Sequence, residues 1–363
     1  MLLAIGTADH APAQAAATVE MVVAPDGGAP FSTLSGAVAA ARPGTVIRVR
    51  PGVYTETVVI DKNLTLIGAD GPTGTVLDGE HRRPLLRIVG PAVVQCENLE
   101  LRHGLAASGP AVEVRGGAVV DFLDCTFHDN TAREHSGAVA AVGEGTWAEF
   151  VACHFQRNRA GGDGGALSAR DGAEITLRGC TFFANEAGGA AGAIDVVSLE
   201  PLVVQQSLFI ENQGRGGGAI RVAGGAVHLE ANTFFRNVSF AGASTHVAEE
   251  TDGSTVTVLR NIFCGDLEGA GLAAPEAATR ACNLYYDNFR GPLLAGDPRP
   301  EELVANPEFC DFRGLDLTLR RNSPAAPGVT PDCGLIGALD VGCLESLEAS
   351  GWSAPRAPHR LVR

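Results

Sequence analysis

An eleven-residue unit that recurs five times without a gap restricts this chain more than any other feature. The copies end in Cys125-Thr-Phe127-His-Asp-Asn130, Cys153-His-Phe155-Gln-Arg-Asn158, Cys180-Thr-Phe182-Phe-Ala-Asn185, Ser207-Leu-Phe209-Ile-Glu-Asn212 and Asn232-Thr-Phe234-Phe-Arg-Asn237. Weaker copies flank them at 94–104 and 256–266, and equivalent positions are 25 to 29 residues apart. Apolar and polar residues alternate within each copy, as in a strand with one buried face. Val120, Phe122, Cys125 and Phe127 are therefore expected to face in, and Asp121, Thr126 and His128 to face out. A second alternating stretch follows each Asn, opened by Gly137-Ala-Val139, Gly165-Ala-Leu167, Gly192-Ala-Ile194 or Gly218-Ala-Ile220.

Short strands repeating every 27 residues or so, each paired with its equivalent about 4.8 Å away, build a solenoid, the parallel β-helix. The phenylalanines from Phe127 to Phe263 then stack inside, and Cys125, Cys153 and Cys180 form a column of packed thiols. The asparagines recur where the chain turns, so their column reads as a structural ladder.

Charge and composition narrow the function. With 42 acidic against 27 basic residues, a formal charge of −15 and Lys62 as the one lysine, a nucleic-acid groove is disfavoured. No apolar run approaches the ~20 residues of a membrane-spanning helix. Residues 1–19 read as a signal remnant or disordered start, with an apolar patch at Leu2 to Ile5 and small residues at Ala11 to Ala17 but with no basic start. Cysteines 264, 282, 310, 333 and 343 crowd the C-terminal third, as in exported proteins. A Cys333–Cys343 disulfide is expected, with Cys264–Cys282 as a second pairing, which leaves Cys310 unpaired or alternatively paired.

The Gly-Gly-Ala-Ile and Cys-Thr-Phe-x-x-Asn rungs resemble those of right-handed parallel β-helix proteins, including polymorphic outer-membrane-protein repeats and the pectate-lyase-like superfamily. Ala24 to Val38, Val49 to Ile60 and Leu64 to Gly68 are similar to the opening of that superfamily, which implies a capping helix near Leu34 to Ala41 followed by the first coils. Asn306-Pro-Glu-Phe309, Asp316-Leu-Thr-Leu319, Asn322-Ser-Pro-Ala325 and Cys333 to Ala338 resemble the closing segment of secreted bacterial members. The family closing often carries a cysteine just after Ser-Pro, where this chain has Ala325.

Outward columns are where chemistry should lie, and their polar density is in the first three regular coils. The candidate surface comprises Asp121, Asp124, His128, Asp129, Arg133, Glu134, His135, Glu149, His154, Arg157, Arg159 and Asp163. Asp121, His128, Glu149, His154 and Arg157 are its candidate catalytic residues. Adjacent coils bring Asp121 near Glu149, a pair suited to Ca²⁺ or to acid–base work, and Arg157 could clamp a uronate carboxylate. A solvated face with cross-coil salt bridges such as Asp129 to Arg157 explains the same residues without a function, and is the weightier explanation.

Asp121-Phe-Leu-Asp124 and Gly52-Val-Tyr-Thr-Glu56 resemble pectin methylesterase motifs, but the partner motifs that would supply an oxyanion-side amide and an arginine are missing. Lys62 does not head a cluster of Ca²⁺ ligands, as a lyase base would. Turns of five to seven residues, such as Thr131 to Ser136, disfavour a deep cleft. Residues 264–304 lack a clear rung. They are expected to pack as a loop over the apolar outward face of Val203, Leu208, Ile210 and Phe235, or to offer Tyr285, Tyr286 and Phe289 to a sugar ring.

The expectation is an all-β, right-handed parallel β-helix with a short N-terminal capping helix and an irregular C-terminal cap. Its parts are an N-terminal cap and first coils over 20–90, regular coils over 91–267, irregular coils and cap over 268–345, and a mobile tail over 346–363. A monomeric, secreted or cell-surface binding or structural module for polysaccharide or surface glycan is expected. The alternative is a polysaccharide lyase or glycoside hydrolase acting on acidic polysaccharide.

Overall fold

The computed structural model describes residues 19–343 apart from 70, 72–73, 107–109 and 248–254, so the expected signal remnant and tail lie outside the described residues. Three long parallel sheets wrap one interior. Sheet S1 has eleven strands, from Glu20–Val23 to Thr279–Ala281; S2 has eleven, from Gly52–Tyr54 to Leu303–Val304; S3 has nine, from Val58–Ile60 to Ala270–Ala273. A ladder of six two-residue strands, Leu105–Ala106 to Val238–Ser239, lies between S2 and S3 in the chain path. The repeat alignment is the observed register: Phe127 pairs with Phe155, Phe155 with Phe182, Phe182 with Phe209 and Phe209 with Phe234. No helix among the described residues is long and apolar enough to cross a membrane.

The interior follows from residue size at each rung. Phenylalanine rings from Phe127 to Phe263 stack with centroids 4.7 to 4.8 Å apart, and Tyr285 extends the stack at 5.4 Å from Phe263. Cys96, Cys125, Cys153 and Cys180 are buried free thiols in one column. Three of them donate to main-chain carbonyls of neighbouring coils, Cys125 to Cys96, Cys153 to Phe122 and Cys180 to Phe150.

The column of asparagines is buried and continuous. Each of Asn130, Asn158, Asn185 and Asn212 donates both its main-chain N–H and its side-chain amide to the Oδ1 of the next asparagine. Where the thiol column stops, a second amide ladder replaces it: Ser207, Asn232, Asn261 and Asn283. That ladder ends on the buried carboxylate of Glu302, which accepts from the Asn283 amide at 2.9 Å and from the Tyr285 hydroxyl at 2.8 Å.

Asp266 occupies the ladder position between Asn237 and Asn288. It is buried, and neither carboxyl oxygen has a hydrogen bond of normal geometry among the described residues, although the Ser244 hydroxyl and main-chain N–H and the Asn237 main-chain N–H face it. Burial pushes this carboxyl well above the usual carboxylate range. Asp266→Asn is expected to stabilise the fold by about 1–3 kcal/mol at neutral pH, because it restores the ladder and removes an unpartnered acid. An acid whose folded pKa is raised contributes stability below its unfolded value near 3.9, and that stability is lost as pH rises towards the folded value. The gain from Asp266→Asn should therefore shrink towards pH 4 and widen towards pH 8 in urea denaturation. A gain independent of pH would show that Asp266 is not held as a neutral acid.

Close approach explains the recurrent glycine at the start of each S3 segment. A Cβ on Gly165 would sit 2.0 Å from the carbonyl oxygen of Gly192, and one on Gly192 would sit 2.2 Å from that of Gly218. The helix Leu34–Ala40 covers the N-terminal end, with Thr33 as N-cap. Glu56 accepts from the amides of Leu34 at 2.7 Å and Ser35 at 2.9 Å, so this residue of the Gly52 to Glu56 stretch anchors the helix start.

Two expectations for the C-terminal third are corrected. Residues 264–304 are not a covering loop: they continue the solenoid through Ala270–Ala273, Thr279–Ala281 and Leu284–Tyr286, and Tyr285 points into the core. The cover is the segment 309–343, a small sheet of Phe309–Asp311, Asp316–Arg320 and Val341–Cys343. It packs Phe309, Leu317, Leu319 and Ile336 against Ile210, Phe235, Ile262 and Leu284 on the outer face of S2. The disulfides are Cys282–Cys333 and Cys310–Cys343, neither of them a predicted pairing. Cys333 lies where this flap meets the last full coil, and Cys310 and Cys343 lie on the two outer strands of the small sheet, on either side of Asp316–Arg320. Cys264 stays a free thiol because it projects from S2 beneath the flap, in register with Tyr286 rather than near Cys282.

Candidate functional site

The structure divides the candidate surface among three places. Asp121 and Glu149 are register partners on the outer face of S1, with Asp124 in the turn beyond Asp121. His128 and His154 project from S2, and Asp129 and Arg157 follow in its next turn. Arg133, Glu134, His135, Arg159 and Asp163 belong to the segments leading towards S3.

On S1, burial raises the Asp121 carboxyl, whereas Glu149 lies 3.7 Å from Arg178. Two carboxylates fall well short of the six to eight oxygens Ca²⁺ takes. No group of three or more His, Cys, Asp or Glu that could hold a metal ion occurs among the described residues. The pair does not by itself fit a Ca²⁺ site.

On S2 the candidates join residues that the sequence did not single out. A chain of ion pairs and histidine–carboxylate contacts runs from His103 through Asp78, Arg102, Glu100, His128 and Asp129 to Arg157. Arg102 donates to Asp78 and to Glu100, each at 2.9 Å. His128 contacts Glu100 through Nε2 at 3.0 Å and Asp129 through Nδ1 at 2.7 Å, so neither ring nitrogen is free for a ligand. Arg157 grips Asp129 with two bonds of 2.8 Å and, with His128, holds its carboxyl well below the usual range. The cross-coil bridge expected between Asp129 and Arg157 is present.

Beyond this network the same face opens into a shallow depression of about 370 Å³. Its floor is a patch of register partners: Thr126, His154 and Thr181 in one column, Gln156, Phe183 and Ile210 in the next. Leu315 of the flap closes one end. Short turns alone would leave the face flat; the flap makes the groove by covering half the face and stopping. Outward residues beneath it, Thr233 and Phe235, are buried for the same reason.

A third cluster lies on S3. The carboxylate of Asp195, fully buried, accepts from Arg170 at 2.7 Å and from Arg221 at 2.9 Å. Asp163 also lies 3.4 Å from Arg170 and accepts from the Ala190 amide at 2.6 Å. Stacked glycine-rich loops run beside this cluster, Gly188 and Gly189 donating to carbonyls of the preceding loop. Its charges are matched internally, and it ties loops to sheet.

The signature described as a right handed beta helix region matches residues 62–263. Among solved structures, the pectate lyase Pel9A is 14% identical, covering 90% of this chain and 97% of its own, at a TM-score of 0.47. Pectin methylesterase PemA from Erwinia chrysanthemi is 13% identical, covering 73% and 93% respectively, at a TM-score of 0.42. A pectin methylesterase from carrot is 12% identical, covering 81% and 91%, at 0.38. None of the curated proteins matches this chain.

Proposed function

We propose, from the premise that this chain belongs to the right-handed β-helix family, that it is an extracytoplasmic glycan-binding module whose ligand lies in the S2 groove. The observation that carries this reading is the composition of the groove floor. Thr126, His154, Gln156 and Thr181 offer hydrogen-bonding groups beside the apolar surface of Phe183, Ile210 and Leu315. A sugar chain has hydroxyl edges and apolar C–H faces, and such a floor serves both. Two disulfides in the C-terminal third fit an oxidising compartment.

Turnover by a lyase or hydrolase is the second reading, favoured by His128 at the edge of the groove. Both nitrogens of His128 are engaged, so it does not meet the need of a base for a nitrogen within reach of the proton it removes, and His154 on the groove floor is the histidine that such a reaction would use. A glycan-panel binding screen with parallel product detection separates the two. Binding with the polymer recovered intact is expected. Shortened or unsaturated products would establish the enzyme, and no binding across the panel would reject the groove as a glycan site.

A further inference from the structure

We propose that the groove on S2 selects neutral glycans and discriminates against uronates, an inference that rests on reading the groove as a glycan site. A uronate needs a cation not already neutralised by a protein carboxylate, as a bidentate arginine clamp provides. No lysine or arginine lines the groove. The turn column on one side reads Asp129, Arg157, Ala184, Glu211, Arg236, and both of its arginines face acids of the same column. Arg157 is held by Asp129, and Arg236 lies 3.6 Å from Glu211. The column on the other side begins Asp124, Ala152, Gly179, Gln206, and Asp124 has no ion pair among the described residues.

The head of the groove offers no unpaired cation either. Glu100 is the register partner of Thr126 and is shared by Arg102 and His128. A carboxylate seated over Thr126 would find Arg102 already engaged by Asp78 and Glu100, and the formal charge of −15 opposes the approach of any polyanion. Arg157 is thereby reassigned from uronate clamp to partner of Asp129.

Matched polymers that differ only in charge test the inference with the full chain. Polygalacturonate and its fully methyl-esterified form make one pair, and cello-oligosaccharides and their C6-oxidised counterparts make a second. Calorimetric titration at two salt concentrations is expected to show at least tenfold tighter binding to the neutral member of whichever pair binds. Gln156→Arg, which places an unpaired cation on the floor, should narrow or reverse that ratio. Equal or tighter binding of the charged member overturns the inference while leaving the glycan reading intact. Binding to neither member of both pairs overturns the two together.

Discussion

Asn185→Ala is expected to remove about 4 kcal/mol or more of folding stability, a large part of the 5–15 kcal/mol that holds a typical domain together. Asn185 Oδ1 accepts from the Asn158 main-chain N–H and side-chain amide, both at 3.0 Å, while its Nδ2 donates to Phe155 O and Asn212 Oδ1, both at 2.9 Å. Alanine leaves all of those partners in place, buried between coils where water does not reach. Each buried polar group left without a partner costs ~1–3 kcal/mol, and the effect is larger than the net value of the bonds themselves. Urea denaturation should show a lower midpoint. A loss under about 1 kcal/mol would mean that the ladder is not continuous through this coil.

Phe182→Ala is expected to cost ~3–5 kcal/mol, the range for deleting a fully buried aromatic ring. The ring lies between Phe155 and Phe209 at centroid distances of 4.7 and 4.8 Å, with interplanar angles of 2° and 3°. Both neighbours are pinned by their own coils, so the cavity cannot collapse. Thr181→Ala, one residue away on the opposite face, should leave the midpoint nearly unchanged. Comparable losses at both positions would reverse the assignment of inside and outside.

The fold was legible because the residues that set it repeat. Phe127, Cys125 and Asn130 recur at one spacing, and strand pairing converts that spacing directly into register. Less legible was the column that changes residue type: Cys180 gives way to Ser207, Asn232, Asn261 and Asn283, and following the position through the change would have revealed a second ladder. Tyr285 was hidden in the same way, as a tyrosine at the stacking position in a coil whose turns are irregular.

The groove was illegible for a different reason. It exists because residues 309–343 fold back over S2, and no local pattern states where a returning segment stops. The apolar outward residues Leu208, Ile210 and Phe235 did signal that something covers that face, but not which segment. Disulfide partners shared that fate, since Cys282 and Cys333 meet across the flap contact at a separation of 51 residues. Asp121 and Glu149 were correctly paired from register, yet register alone could not show that they lie on a different sheet from His128 and Arg157.

The most direct measurement of the central claim is a titration of the panel's strongest binder against the wild-type chain, a His154→Ala/Gln156→Ala variant and an Asp121→Asn/Glu149→Gln variant. Thermal melts run alongside should show all three folded. With the ligand on S2, the first variant should lose at least tenfold in affinity, equivalent to about 1.4 kcal/mol, and the second should bind as wild type does. Unchanged affinity of the His154/Gln156 variant, or loss confined to the Asp121/Glu149 variant, would contradict the assignment of the site to S2.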